Sequence, residues 1–387
     1  MPAFSFAYSI PYLLVFGVLL LFSIFQLSYS LTDRTNSLFV FTSFLILILF
    51  FGLRGFLLTD FQIYYPLFED IELGNYKRYL FEPGFSLYVI LIKAICPNYH
   101  FFIFISFLID MIIFNVFLDR YIEPKYKILS LIFYFAFFGL VLEIDLMRNV
   151  KSLMLFLLSI KYIEGKRPVC YFVLNLIGIT FHWTSVFFLP LYFFLDKKLS
   201  IKALLLLMIM GHVIFIFDIN IIKPIILFVG RLFGGTIQEK LDFYVDSEMY
   251  GQAIVLSFGY IERLISTMMV LVLYNGLTKE KSNIVFINAF LIFVLMTLYF
   301  FEVRIVLTRF CALFAFSYCI LWSKVLHLMQ KALKPVFLFC IFCILMIKIY
   351  TQTNTLFMLY DNAIFGNMQS YDDRLKIVHD YTSVIIE

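Results

Sequence analysis

The chain has 387 residues, of which 63% are hydrophobic and 14% charged, and it carries 51 phenylalanines. That composition excludes an ordinary soluble domain. The formal net charge of +4 is too small for its size to suggest nucleic acid as a partner, and six cysteines in or beside apolar runs make no disulfide framework.

Apolar runs of the length needed to cross hydrocarbon, roughly 20 residues each, recur from Ser9 to Tyr350. They are continuous and do not alternate, as a lipid-facing barrel strand must. The pattern predicts an all-α polytopic membrane protein, a single integral membrane domain over 1–387 with about twelve transmembrane helices. In chain order the spans fall near 10–29, 37–53, 99–118, 127–143, 149–162, 169–181, 184–195, 203–219, 253–275, 284–301, 305–323 and 335–351. No cleavable signal peptide is expected, because Met1 to Tyr12 carries no charged side chain. Phe85 to Cys96 is a further apolar helix, bounded by Pro83-Gly84 and Pro97-Asn98. Its length suits a re-entrant or interfacial element rather than a crossing.

Orientation follows from the basic residues of short loops. The loops around Arg34, Arg120 to Lys127, Lys161 to Arg167, Lys197 to Lys202, Lys279 to Lys281 and Lys324 to Lys334 hold half of the 30 basic residues and only six of the 26 acidic ones. They are expected on the cytoplasmic side. Residues 54–98, 220–252 and the tail 352–387 are then expected on the opposite, periplasmic side, and this is self-consistent only if Phe85 to Cys96 does not cross.

No P-loop, dinucleotide fingerprint, zinc-protease motif or nucleophile elbow is present. Attention therefore falls on ionisable residues at the outer ends of spans, where charge is costly and faces a cavity or a partner. The stretch from Gly52 to Gly84 gathers Arg54, Asp60, Glu69, Asp70, Glu72, Lys77, Arg78 and Glu82. Arg54 offers the planar fork that suits phosphate oxygens, or else an interfacial anchor. Asp60 and Glu82 are candidate general bases, or else solvated loop carboxylates. Tyr64, Tyr65, Tyr76, Tyr79 and Tyr88 suit either stacking on sugar rings or an aromatic belt.

Glu143, Asp145 and Arg148 form a second cluster. An arginine at a helix start opposes the macrodipole unless an anion docks there. The two acids could hold a divalent cation, or neutralise Arg148 and Lys151. His182 sits at a tight outer turn beside Trp183, Thr184 and Ser185, where it could take a proton from a hydroxyl nucleophile, bind phosphate when charged, or simply pack. Glu302, Arg304 and Arg309 form the fourth cluster, with Glu302 expected to pair with an arginine, while Asp110 has no partner nearby in sequence.

Taken in order, these clusters resemble the EpsG-type polysaccharide polymerases, a branch of the Wzy-like enzymes. The resemblance rests on Gly52-Leu53-Arg54, Asp60 with Tyr64, Glu82 at a short helix, Met147-Arg148-Asn149, Phe181-His182-Trp183-Thr184, and Arg304 with Arg309. Asn149 stands where the family pattern has Gln, and Lys151 replaces a small residue. The resemblance implies a GT-C-like membrane glycosyltransferase of the bacterial inner membrane. Such an enzyme lengthens O-antigen or exopolysaccharide chains at the periplasmic face. It transfers a glycan from undecaprenyl pyrophosphate to a sugar hydroxyl of another lipid-linked repeat unit, with no metal or other cofactor.

Its partners would be the undecaprenyl-pyrophosphate-linked oligosaccharide, membrane lipid and a chain-length regulator. Asp60, His182 and Glu82 are then the candidate catalytic residues. Arg54, Tyr64, Arg148, Arg304 and Arg309 are the candidates for binding pyrophosphate and glycan. The alternative is a lipid-linked oligosaccharide flippase or secondary transporter. That class predicts paired interrupted helices in two halves, whereas one interruption is visible here.

Overall fold

In the computed structural model every regular element among the described residues is a helix, and strand-like pairing is confined to two isolated bridges, Phe4 with Thr355 and Arg54 with Asn362. The structure describes all residues except 1, 30, 79–80, 236–237, 240, 243–256, 304–306, 308, 365–367 and 387, and no side chains from 381 onward.

The elements are α1 (Phe6–Ser28), α2 (Asp33–Gly52), α3 (Phe61–Asp70), α4 (Pro83–Ile95), α5 (Tyr99–Tyr121), α6 (Pro124–Leu142), α7 (Met147–Glu164) and α8 (Pro168–Phe181). A 3-10 helix (Trp183–Phe193) follows, and then α9 (Ile201–Ile216), α10 (Ile222–Phe233), α11 (Phe258–Val272), α12 (Lys281–Tyr299), α13 (Cys311–Leu328), α14 (Lys331–Thr353) and α15 (Tyr371–Ile386). Among the described residues, seven helices (α1, α2, α5, α6, α12, α13 and α14) are long and apolar enough to cross a membrane. The chain is a multi-pass, all-helical membrane protein.

The predicted run at 184–195 winds as a 3-10 helix, and its internal Pro190 lacks an amide donor. Helices α3, α10 and α15 lie where the sequence suggested loops or a tail. Helix α4 has 13 residues, which at 1.5 Å per residue is about 20 Å, short of a hydrocarbon core. Local chemistry accounts for several starts. Asn98 caps α5 by accepting the Phe101 amide at 3.0 Å, and Pro83 supplies α4 with a first residue that needs no amide partner.

By internal contacts the chain divides into two units, one comprising 1–192, 318–323 and 330–387, the other 193–317 and 324–329. In the first unit α1 packs on α2, α6 and α14, α2 on α5, α5 on α7, and α8 on both α7 and α4. A fully buried ion pair joins Asp110 of α5 to Lys151 of α7, whose Nζ also donates to the Ser106 carbonyl at 2.7 Å. This is the partner for Asp110 that the local sequence does not show.

After α14 the chain returns along residues 53–58. Gly55 donates to the Asp361 carbonyl at 3.1 Å, Leu58 to Phe357 at 3.0 Å, and Ala363 to Leu53 at 2.9 Å. Gly55 permits this approach, because a Cβ there would lie 2.0 Å from Asp361 Oδ1. Tyr371 of α15 then stacks on Tyr65 at 4.6 Å, and Val378 joins the cluster of Phe56, Phe61, Tyr64 and Phe85. The expected tail is thus part of the packed unit.

In the second unit α9 packs on α12. Glu302 is fully buried and accepts the amides of Ile221, Ile222 and Lys223 at 2.6, 2.8 and 2.9 Å. Its carboxylate thereby caps α10, satisfying donors that a helix start leaves open and complementing the dipole.

Candidate active site

Helix α6 ends at Leu142, and a turn at 143–145 leads into α7. Arg54 secures that turn. Its guanidinium is 3% exposed and donates to the Phe51 carbonyl and to the Glu143 carbonyl, both at 2.7 Å. The first bond satisfies a carbonyl in the last turn of α2, and the second ties α2 to the start of α7. Burial draws the Arg54 guanidinium below its ordinary pKa.

The two acids of the turn serve different partners. The Tyr134 hydroxyl donates to the Glu143 carboxylate. Asp145 Oδ1 accepts the amide of Asp60 at 2.9 Å and that of Thr59 at 3.3 Å. Asp60 is the N-cap residue of α3 yet makes no capping bond with its own side chain. Asp145, 85 residues away, thereby anchors the backbone just before α3 to the turn that leads into α7.

One turn into α3, the Tyr64 hydroxyl accepts a bond from Arg148 Nε at 3.3 Å. Arg148 Nη1 donates to Glu82 Oε2 at 2.7 Å, and the guanidinium lies 4.4 Å from the centre of the Phe81 ring. Arg148 is in the first turn of α7, where a cation opposes the helix dipole, and the Glu82 carboxylate offsets that conflict. The other oxygen of Glu82 accepts the Trp183 amide at 3.1 Å. Glu82 reaches both partners because Gly84 lets the start of α4 press on the end of α8. A Cβ at Gly84 would fall 2.1 Å from Thr180 Oγ1 and 2.8 Å from the Thr180 carbonyl.

His182 caps α8 through its amide, which donates to Gly178 at 3.0 Å, and its ring is buried at 5% exposure. Nδ1 lies 2.8 Å from the Thr184 hydroxyl and accepts the Thr184 amide at 3.2 Å. Asn149, next to Arg148, donates from Nδ2 to that same hydroxyl at 3.2 Å.

Bonds therefore link Asp60, Tyr64, Glu82, Arg148 and His182 into one assembly within the first unit, and Arg54 braces it through Glu143. Arg309 belongs to the second unit, where it is half-buried. Arg304 and Tyr79 lie outside the described residues. Of the other tyrosines, Tyr65 stacks on Tyr371, and Tyr88 donates to Ser106 Oγ at 3.0 Å.

Sequence reasoning missed Asp145 as the acceptor for the amides just before α3, Phe81 under the guanidinium, and the Asn149–Thr184 link. The adjacency of Asn149 to Arg148 and of Thr184 to His182 was the available signal for that link. Among the described residues, no group of three or more His, Cys, Asp or Glu side chains is arranged to hold a metal ion.

A family model described as EpsG family matches residues 37–362. No curated protein and no solved structure matches the chain.

Proposed function

The chain belongs to the EpsG family, a family of Wzy-like polymerases, and from that premise we propose that it transfers a glycan from undecaprenyl pyrophosphate to a sugar hydroxyl of another lipid-linked repeat unit. The reaction would take place at the periplasmic face of a bacterial inner membrane, without a metal. In this reading the shorter apolar helices complete about twelve crossings of a GT-C-like bundle, and α4 dips into the membrane without crossing.

The observation that carries the reading is the convergence on Arg148. This cation, at a helix N-terminus, is held between a tyrosine hydroxyl, an aromatic face and a carboxylate. A pyrophosphate oxygen has the chemistry to take the place of Glu82 there, since helix N-termini and guanidinium forks both favour such anions. The acceptor hydroxyl oxygen attacks the anomeric carbon of the donor. The bond from that carbon to the pyrophosphate oxygen breaks, and the electron pair leaves with the lipid pyrophosphate. Arg148 stabilises the departing charge, and Arg54 supports it by bracing the turn that leads into α7. Asp60, held at the start of α3, receives the hydroxyl proton. Tyr64 and the aromatic side chains of residues 54–98 would contact sugar.

Single replacements test this reading. R148A and D60N should each reduce polymer formation by about 100-fold or more, the scale seen when one charged donor or one proton acceptor is removed. Surface glycan should then appear as single repeat units on a gel. Loss of even those single units would support the flippase alternative. Normal ladders in both variants would refute the site.

A further inference from the structure

We propose that Glu143 is held in the folded protein as a neutral carboxylic acid that donates to Asp110, and that this buried bond fixes the turn on which the site is built. Asp110 is 0% exposed, Glu143 4% and Lys151 6%. The Lys151 ammonium takes Oδ2 of Asp110, while Oδ1 meets no N–H or hydroxyl donor among the described residues. What stands within hydrogen-bond reach of Asp110 is the Glu143 carboxyl. Two carboxylates can only repel each other there, and a buried pair of acids relieves that by keeping one proton between them.

The neighbours decide which acid keeps it. Asp110 of α5 faces the ammonium of Lys151 on α7, which favours its charged form. Tyr88 of α4 lies beyond that ammonium, with its ring centre 5.7 Å from Nζ. Glu143 faces a neutral group, the Tyr134 hydroxyl of α6, which donates to Oε1. Arg54, after α2, donates to the carbonyls of Phe51 and Glu143, and its charge acts on the Glu143 carboxyl from a distance. The proton therefore belongs on Glu143. With it on Oε2, Oε1 goes on accepting from Tyr134, Asp110 Oδ1 gains the donor it lacked, and every oxygen of the two acids is met.

Glu143 opens the turn at 143–145. Asp145 of that turn holds the amides of Thr59 and Asp60, and Arg148 follows in the first turn of α7. Arg54 grips the turn through its backbone, and the bond to Asp110 grips it from α5. Glu143 acts through Asp60 and Arg148 and is a positioning residue. That role rests on the polymerase reading, whereas the protonation state does not.

The experiment takes infrared spectra of the full chain in lipid nanodiscs at pH 7, with and without ¹³C-carboxyl-labelled glutamate. The parent should show the carbonyl stretch of a protonated carboxylic acid, shifted by the label and lost in E143Q. The absence of such a band overturns the proposal, since both acids are then charged. A band that the glutamate label leaves in place, or that E143Q leaves unchanged, overturns it as well, since the proton then lies on another acid.

The second arm compares polymer formation. E143Q keeps an N–H for Asp110 and a carbonyl for Tyr134, and polymer should stay within about threefold of the parent, whereas E143L leaves both partners unmet and should lower it by about tenfold or more. A charged Glu143 would be lost in both variants alike. Equal loss in both, or normal polymer in both, overturns the positioning role. Failure of the polymerase reading would instead show as normal ladders in the Arg148 and Asp60 variants, independently of the spectra.

Discussion

Glu82 and Arg148 stand 66 residues apart in the chain and meet through a 2.7 Å bond between Oε2 and Nη1, with both side chains mostly buried. The pair joins the start of α4 to the start of α7, and Glu82 extends it to Trp183. Replacement by lysine, R148K, separates charge from shape. Lysine keeps the cation but loses the Nε bond to Tyr64 and the flat face over Phe81. Polymer formation should fall by about tenfold or more, while stability falls by about 1.5–3 kcal/mol for the charged bond to Tyr64 that lysine cannot make. Initial rates of polymer growth and unfolding midpoints of the same preparation check this. An R148K rate equal to the parent's would mean that charge alone suffices.

Gly84 predicts a packing effect. In G84A the new methyl meets the Thr180 hydroxyl and the Thr180 carbonyl, so α4 must move off α8. The expected destabilisation is about 1–3 kcal/mol, the usual range for overpacking. Combining it with T180A should recover only part of that loss, because the clash with the backbone carbonyl remains. Thermal unfolding of both variants in detergent measures it, and an unchanged midpoint in G84A would show that the contact is loose.

The Asp110–Lys151 pair predicts strong non-additivity. Removing one partner leaves a buried charge uncompensated, at a cost of about 3–5 kcal/mol for D110N or K151M alone. The double variant removes both charges and should lie closer to the parent than either single variant. A double-mutant cycle on unfolding free energies reads the coupling directly. Costs that simply add would show that the two groups do not depend on each other.

Arg374 predicts the weight of the C-terminal segment. It is 1% exposed, and its guanidinium donates to the Leu359 carbonyl at 2.5 Å and to Gln369 Oε1 at 3.1 Å. Burial draws its pKa below the ordinary value, while the nearby Asp361 carboxylate favours the charged form. R374A leaves the Leu359 and Gln369 acceptors unmet and should cost about 1.5–3 kcal/mol per lost charged bond, with polymer yield falling together with stability. Protease sensitivity near residues 354–363 should rise at the same time. A variant that loses activity with full stability would point to a direct part in the chemistry instead.

How far the sequence could be read depended on the range of each signal. The spans at 10–29, 37–53 and 99–118 reappear as α1, α2 and α5 with ends shifted by a few residues, because hydropathy is a sum over neighbours. The apolar element after Pro83-Gly84 was legible from its bounding residues and appears as α4. Helix α7 was visible as a run, although Arg148, Lys151 and Lys161 lower its hydropathy. Glu302 shows the opposite case. Its carboxylate serves three amides some 80 residues away, a partnership that no neighbouring residue signals, since a buried carboxylate goes to whichever donors the packing leaves unmet.

By itself the sequence determined that this chain is a helical membrane protein, and its short motifs marked the family to which it belongs. Those properties are written in local composition, because the cost of a polar group in hydrocarbon is felt residue by residue. Only the tertiary structure decided which charge meets which: Glu82 rather than Glu143 or Asp145 for Arg148, Asp110 for Lys151, and Asp145 for the start of α3. Carboxylates are interchangeable as letters. Their partners are chosen by which helix ends the packing brings within about 3 Å, and that distance depends on contacts between segments 40 to 100 residues apart.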